Sequence, residues 1–424
     1  MRILWISNIL LPDIAAEIGE QVPFAGGWMN SSLQAILKEN KNIRFSVLSF
    51  LPNINTVVCK SINSIDYYLL PEYDGSKSTI FKELCQYVAN QIKPDIVHIH
   101  GTEIPNGYYF YEANPYLKYV ISIQGLLSVY HRYYLSGIDL NVIKRFSSIY
   151  QWIKKKSIFD GQASYKIKAS IEKKYLESIP NIIGRTDWDD AHSWAVNNKR
   201  NYYFCNETLR SAFYSGRWAY NKCIKHSIFV SQAKNPIKGF HILLESLPLV
   251  LREFPDTKVV VASSLNLFPQ TWKDRIKMND YAKYLRQIVE RHNLWEHLIL
   301  YNGLSEKEMV DEYLKCNVFV SPSAIENSPN SVGEAQLLGV PVISSICGGV
   351  MNMVKDNYNG FLYRFDEPEL LAGKICQCFH NNFDYKILDQ AVKDASLRHD
   401  KVLNAKTMIE IYEAIISEDE LLAK

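Results

Sequence analysis

No stretch of this chain approaches the roughly 20 consecutive apolar residues that a bilayer-spanning helix needs. Its opening residues, Met1–Ser7, read as a strand. No long apolar region precedes a small-residue cleavage site, so no signal peptide is expected. Charge is nearly balanced at +2, which leaves no global attraction to nucleic acid. The eight cysteines are scattered and form no C-x-x-C pair, so neither a disulfide framework nor a metal cluster is expected. Free thiols fit a reducing cytoplasm. No G-x-G-x-x-G motif opens a helix, which argues against a nicotinamide or flavin enzyme. Repeats of 20–50 residues and low-complexity tracts are absent too.

The 424 residues exceed one ordinary core, and 47% hydrophobic with 22% charged residues is a globular composition. A 12% aromatic content with 27 tyrosines is compatible with carbohydrate contacts. Strand-like runs at Ile3–Ser7, Arg44–Phe50, Asp95–His100, Tyr119–Gln124 and Asn181–Thr186 alternate with helical stretches such as Trp28–Glu39 and Lys77–Ile92. Near-continuous apolar strands separated by helices imply a parallel sheet covered on both faces. The pattern breaks between Tyr214 and Lys225, then restarts with strands at Ile228–Ser231, Lys258–Ala262, Leu298–Tyr301, Val318–Ser321 and Val342–Ser345. The division expected is 1–222, 223–400 and a terminal helix over 401–424 that packs back on the first domain.

The stretch Val318–Ser345 places Glu326 on a polar loop and Glu334 on a short helix between two strands. The carboxyl ends of strands in open sheets bind ligands, and a helix N-terminus presents N–H groups to an anion. Lys238-Gly239 precedes a helix whose apolar stripe runs from Phe240 to Leu251, a combination that suits a phosphate leaving group. In the first half, Phe24-Ala25-Gly26-Gly27-Trp28 precedes a helix, and two strands end in His100-Gly101 and Gln124-Gly125. Arg185 opens a polar, aromatic region and joins His100 as a candidate for the acceptor side or site rim. Between 141 and 178, nine Lys and Arg residues face only Asp160, Glu172 and Glu177. Ile143, Phe146, Ile149, Tyr150 and Ile153 recur there at helical spacing, which fits a solvated basic face over an ordinary core stripe first and, as the alternative, a basic amphipathic helix that lies on an anionic membrane.

With those residues laid out, the chain resembles the retaining nucleotide-sugar glycosyltransferases of family four, which have the GT-B fold. Glu326 and Glu334 stand at the two ends of an E-x7-E element, ENSPNSVGE, followed by Gly339-Val-Pro-Val342. Asn302-Gly303-Leu304, Gly348-Gly349 and Asn359-Gly360-Phe361-Leu362 follow in the family's order, as do Gly26-Gly27 and Asp95–Gly101. The resemblance implies an α/β chain of two Rossmann-like, doubly wound domains facing each other across a cleft. It implies that Glu334 binds the donor ribose, and that Glu326 and the backbone from Asn327 through Ser328, Pro329 and Asn330 to Ser331 hold the donor sugar and its phosphate. Lys238, assisted by the amides at Gly27 beside Gly26, neutralises the diphosphate, and Asn302 to Leu304 border the base. A leaving phosphate oxygen takes the acceptor's proton. No metal and no cofactor are implied, and no D-x-D motif stands in a donor-site loop.

Two positions depart from that pattern. Gln232 stands where many members have arginine, with Lys234 a candidate to reach in its place, and Gln124 stands where many have histidine. The expectation is a transferase using a UDP- or GDP-sugar and a glycan or lipid-linked acceptor in cell-surface polysaccharide assembly. It would act in the cytoplasm, peripherally at the inner membrane face. Glu326, Lys238 and Gln124 carry the chemistry. The alternative is a non-catalytic GT-B scaffold that binds a nucleotide sugar or a partner transferase.

Overall fold

A computed structural model describes residues 1–21, 26–73, 78–147, 149–155, 157–269 and 271–422. The expected loop residues Phe24 and Ala25, the helix start Lys77, and Lys156 of the basic stretch lie outside the described residues. The chain divides into two compact units. Residues 1–128, 167–210 and 399–424 make the first, and 129–166 with 211–398 the second.

The first unit is built on an eight-stranded sheet of order β3-β4-β2-β1-β5-β6-β7-β8. Its strands are β1 (Arg2–Ser7), β2 (Arg44–Leu51), β3 (Val58–Ile62), β4 (Ile65–Pro71), β5 (Ile96–His100), β6 (Tyr119–Ser122), β7 (Asn181–Gly184) and β8 (Asn201–Phe204). All pair in parallel except β3 with β4. That hairpin was not legible as two strands. It turns at Asn63 and Ser64, both at positive φ (51° and 64°), the backbone a tight two-residue turn needs. β7 stops earlier than its apolar run suggests because Thr186 is drawn off to cap the helix Asp187–Val196 in a capping box with Asp189.

The second unit has a six-stranded sheet of order β11-β10-β9-β12-β13-β14, parallel throughout. Its strands are β9 (Ser227–Val230), β10 (Lys258–Val261), β11 (Leu298–Leu300), β12 (Val318–Ser321), β13 (Val342–Ser345) and β14 (Phe361–Tyr363). β9, β12, β13 and β14 are buried at every residue, as continuous apolar strands between helix layers must be.

Two segments sit where chain order alone would not put them. The helix Lys401–Leu422 lies in the first unit, burying Ala405, Ile409, Tyr412 and Ile415 with Trp5 and Phe45. Residues 129–166 group with the second unit, although they precede the break expected near Tyr214. Buried polar contacts hold them there. His241 Nε2 meets the Ser136 carbonyl at 3.0 Å, and Gln151 donates to the Met278 carbonyl at 2.9 Å. The single basic amphipathic helix is also corrected. The stretch forms three helices, Leu140–Phe146, Ile149–Ile153 and Ile158–Ser178, so the five apolar residues do not make one continuous face. Ile143 is buried while Ile153 is 66% exposed.

Candidate functional site

Winding of the second sheet reverses between β9 and β12, with β10 and β11 added on one side and β13 and β14 on the other. The strand ends flanking such a reversal form the crevice where open α/β sheets take ligands. Lys238 closes the short turn Pro236–Lys238 in the loop after β9, and Gly239 follows at φ +66°. A Cβ at 239 would overlap the Pro322 carbonyl, so glycine is what lets the loops after β9 and β12 touch. Ala324 N–H then donates to the Ile237 carbonyl at 2.8 Å. This seam brings Lys238 Nζ to 2.6 Å from Glu326 Oε1, which also accepts from Ser323 Oγ at 2.7 Å.

The Glu326 carbonyl accepts from Gly349 N–H at 3.0 Å, so the Gly348-Gly349 pair fastens the same loop. Beside it, burial pushes the Cys347 thiol up to about 12. The helix Asn330–Leu338 begins after Pro329, a residue with no side-chain oxygen to cap it, and Glu334 is buried within it. An ammonium, a carboxylate and the positive end of a helix dipole are thereby gathered at one strand-end crevice. That grouping can bind an anion and stabilise growing negative charge on it.

The first sheet reverses between β1 and β5. Gly26 caps the helix Gly27–Glu39 after the β1 loop, and β5 ends in His100. The His100 ring lies 3.8 Å from His98, 4.4 Å from Trp5 and 5.9 Å from Trp28, centroid to centroid. Its two nitrogens are buried without hydrogen-bond partners, and burial lowers its pKa to about 3, so the ring is neutral. His100, Gln124, Arg185, Glu207, Trp5 and Trp28 line one narrow pocket.

Arg185, expected at the acceptor side or site rim, lies buried in the lining of that pocket. It is 4% exposed, pairs with Glu207 at 2.6 Å, and donates to the carbonyls of Ile123 (3.1 Å) and Gln124 (3.2 Å). Its guanidinium braces the segment of Gln124 from inside.

Two carboxylates that sequence reasoning left unused hold the same segment by its amides. Gly125 N–H donates to Glu103 Oε1 at 3.1 Å. Leu127 and Ser128 N–H donate to Glu172 at 2.6 and 3.0 Å. Burial raises both carboxyls against the pull of these donors, Glu172 to about 7. Gly101, at φ +86°, leaves the room a Cβ would take from the Glu103 carboxylate, which gives the glycine of His100-Gly101 its reason. On sequence alone, Glu172 is only one of three acidic residues in the basic stretch. Its place among Ala169, Tyr175, Leu176 and Ile179, all buried, is the helical-spacing signal that marks it as interior.

The remaining candidates divide by location. Gln232 and Lys234 are exposed on the loop after β9. Asn327 and Ser328 are buried, Ser328 Oγ lying 3.5 Å from Met353 Sδ, and the Ser331 carbonyl accepts from Tyr313 at 3.0 Å. Asn302, Gly303 and Leu304 follow β11 at the sheet edge, two strands from β9. Asn359 is an internal fastener, donating to the Met353 carbonyl at 3.1 Å and to Asp394 at 2.9 Å.

Sheet orders and strand-end sites together define the class: two Rossmann-like α/β units, the GT-B fold. Residues 218–396 match the family described as Glycosyl transferases group 1. Among solved structures, Anabaena Alr3699/HepE in complex with UDP-glucose superposes with a TM-score of 0.66 at 16% identity, over 98% of this chain and 100% of that one. Spore coat protein SA of Bacillus subtilis is 28% identical over 33% of this chain and 35% of its own length. The capsular polysaccharide biosynthesis glycosyltransferase CapM of Staphylococcus aureus is 26% identical over 41% of this chain and 38% of its own. The chain thus matches less than half the length of either curated relative.

Proposed function

We propose that this protein is a retaining, metal-independent glycosyltransferase. It moves a sugar from a UDP- or GDP-sugar to a hydroxyl of a glycan or lipid-linked glycan, in cell-surface polysaccharide assembly at the cytoplasmic membrane face. The observation that carries the reading is the Lys238–Glu326 pair, 2.6 Å apart, beside the N-terminus of the helix Asn330–Leu338. The capsule and spore-coat relatives and the UDP-glucose complex support donor class and setting.

In this reading the bond from the anomeric carbon to the diphosphate oxygen breaks while the acceptor oxygen bonds the same carbon from the same face. The acceptor proton passes to a leaving phosphate oxygen. Lys238, the backbone from Asn327 to Ser331 and Gly26-Gly27 hold the diphosphate, Glu326 the sugar and Glu334 the ribose. Gln124 hydrogen-bonds a sugar hydroxyl, as an amide can. Lys234 supplements Lys238 where Gln232 gives no charge, and Asn302, Gly303 and Leu304 border the base.

The test is nucleotide release from a panel of UDP-, GDP- and ADP-sugars with membrane-extract acceptors. Glu326→Ala is expected to lower kcat about 100- to 1,000-fold, the usual cost of one stabilising group. Glu334→Ala raises donor KM more than it lowers kcat. Full turnover in Glu326→Ala would sink the assignment. Gln232 and Gln124 give the scaffold reading its footing; donor binding that never yields product from any acceptor would favour it. Contact with an anionic membrane through the basic stretch 141–178 belongs to the same proposal.

A further inference from the structure

The helix Ile149–Ile153 has its polarity reversed. Gln151 is buried, 2% exposed, and donates to the Met278 carbonyl at 2.9 Å, whereas Trp152 and Ile153 are 74% and 66% exposed. Burying an amide while leaving indole and isoleucine in water is unfavourable unless those apolar groups are covered by something else. This helix touches the helix Trp272–Lys277 of the same unit, whose first residue, Trp272, is 69% exposed. Lys273 Nζ sits 5.7 Å from the Trp272 ring centroid.

Basic residues predominate in the segments that carry or adjoin these side chains. Lys144, Arg145, Lys154, Lys155, Lys273 and Arg275 are all exposed. Asp274, the carboxylate among them, is engaged in the capping box with Thr271. Tryptophan beside lysine and arginine is the composition of a lipid interface, where indole enters the headgroup layer and cations meet anionic phosphates. Hydrophobic contacts between proteins tend instead to exclude lysine from their centre.

We propose that these two helices form an interfacial anchor, inserting Trp152, Ile153 and Trp272 into an anionic lipid surface while the flanking lysines and arginines bind its phosphates. The proposal deepens the membrane-contact reading and rests on it. It moves the apolar contact to residues 152, 153 and 272, the last outside the basic stretch.

The experiment is co-sedimentation of the full chain with phosphatidylcholine vesicles, with and without phosphatidylglycerol, across a salt series. Tryptophan emission is followed in parallel. Wild type is expected to bind only the anionic vesicles, less at high salt, with a blue shift. Trp152→Ser combined with Trp272→Ser should weaken binding about tenfold or more and lose the shift, since each tenfold needs only about 1.4 kcal/mol. Unchanged unfolding of this surface variant shows that the fold is intact. If the double variant binds as wild type does, the anchor is overturned while the charge-based membrane reading stands. If wild type binds no anionic vesicle, both fall. Concentration-dependent self-association lost in the double variant would make the patch an interface between copies, and would overturn the lipid anchor as well.

Discussion

Glu172 shows how far one side chain can depart from its composition-level meaning. It is fully buried beneath the amides of Leu127 and Ser128, with Thr102 Oγ1 at 3.4 Å and Glu103 the neighbouring carboxylate. Its carboxyl is raised to about 7 in the folded chain from an ordinary 4.5, so the folded state takes the proton more readily than the unfolded one. That contribution to stability is fully present below the unfolded value and is lost as pH rises through about 7, at most about 3 kcal/mol. The buried histidines run the other way. His100, lowered to about 3, and His241, lowered to about 4, make stability fall as pH drops below their ordinary 6.5. The total curve therefore mixes both signs, and the difference between wild type and Glu172→Gln isolates one of them. Chemical denaturation from about pH 5 to 8 is expected to show that difference narrowing as pH rises and flattening above 7. A constant difference would mean that Glu172 is ionised throughout.

Secondary structure was legible where one rule dominated. Continuous apolar runs such as Ile228–Ser231 and Val318–Ser321 became buried strands within a residue of their expected limits, because burial on both faces leaves no other use for such a run. The neighbourhood of Glu326 and Lys238 was legible because strand-end loops of one sheet converge whatever their distance in sequence. The split of the basic stretch into three helices was not legible. Its spacing satisfied a helix locally, and the contacts that break it, Gln151 to Met278 and Ser147 to Asp280, come from residues more than 120 positions away. The burial of Arg185 was not legible, because nothing local announces its pairing with Glu207. At this scale the loop seam through Gly239 is the most exposed to mutation. Gly239→Ala forces a Cβ against the Pro322 carbonyl at a positive φ, and a loss of about 2 kcal/mol or more is expected from strain and displacement together. Because the seam sets the Lys238–Glu326 distance, turnover should fall in correctly folded protein too. Activity and denaturant midpoint measured on the same sample would show both, and a full-activity variant would detach the seam from the site.

Over the whole chain, the two units are each assembled from distant segments, and the first is closed by residues from both ends of its span. Trp5 Nε1 donates to Tyr412 Oη at 2.9 Å across 407 positions. The same hydroxyl lies 2.6 Å from His98 Nδ1, whose Nε2 lies 2.6 Å from Ser122 Oγ. With the phenol accepting from Trp5, its proton goes to Nδ1, and the Nε2 proton goes to Ser122; burial keeps that imidazole uncharged. Tyr412→Phe leaves the Trp5 N–H and a ring nitrogen without partners in the core, a loss of about 1–3 kcal/mol. A guanidinium denaturation series would read it as a lower midpoint with an unchanged slope. No loss would mean that water replaces the hydroxyl.

That bond between β1 and the helix Lys401–Leu422 also sets an order of events during synthesis. Trp5, Ile3 and Phe45 leave the ribosome early, yet the helix that covers them is made only after the whole second unit has emerged. A nascent chain stalled before residue 401 is expected to carry an apolar sheet face awaiting its cover, a surface prone to aggregation for as long as it stays open.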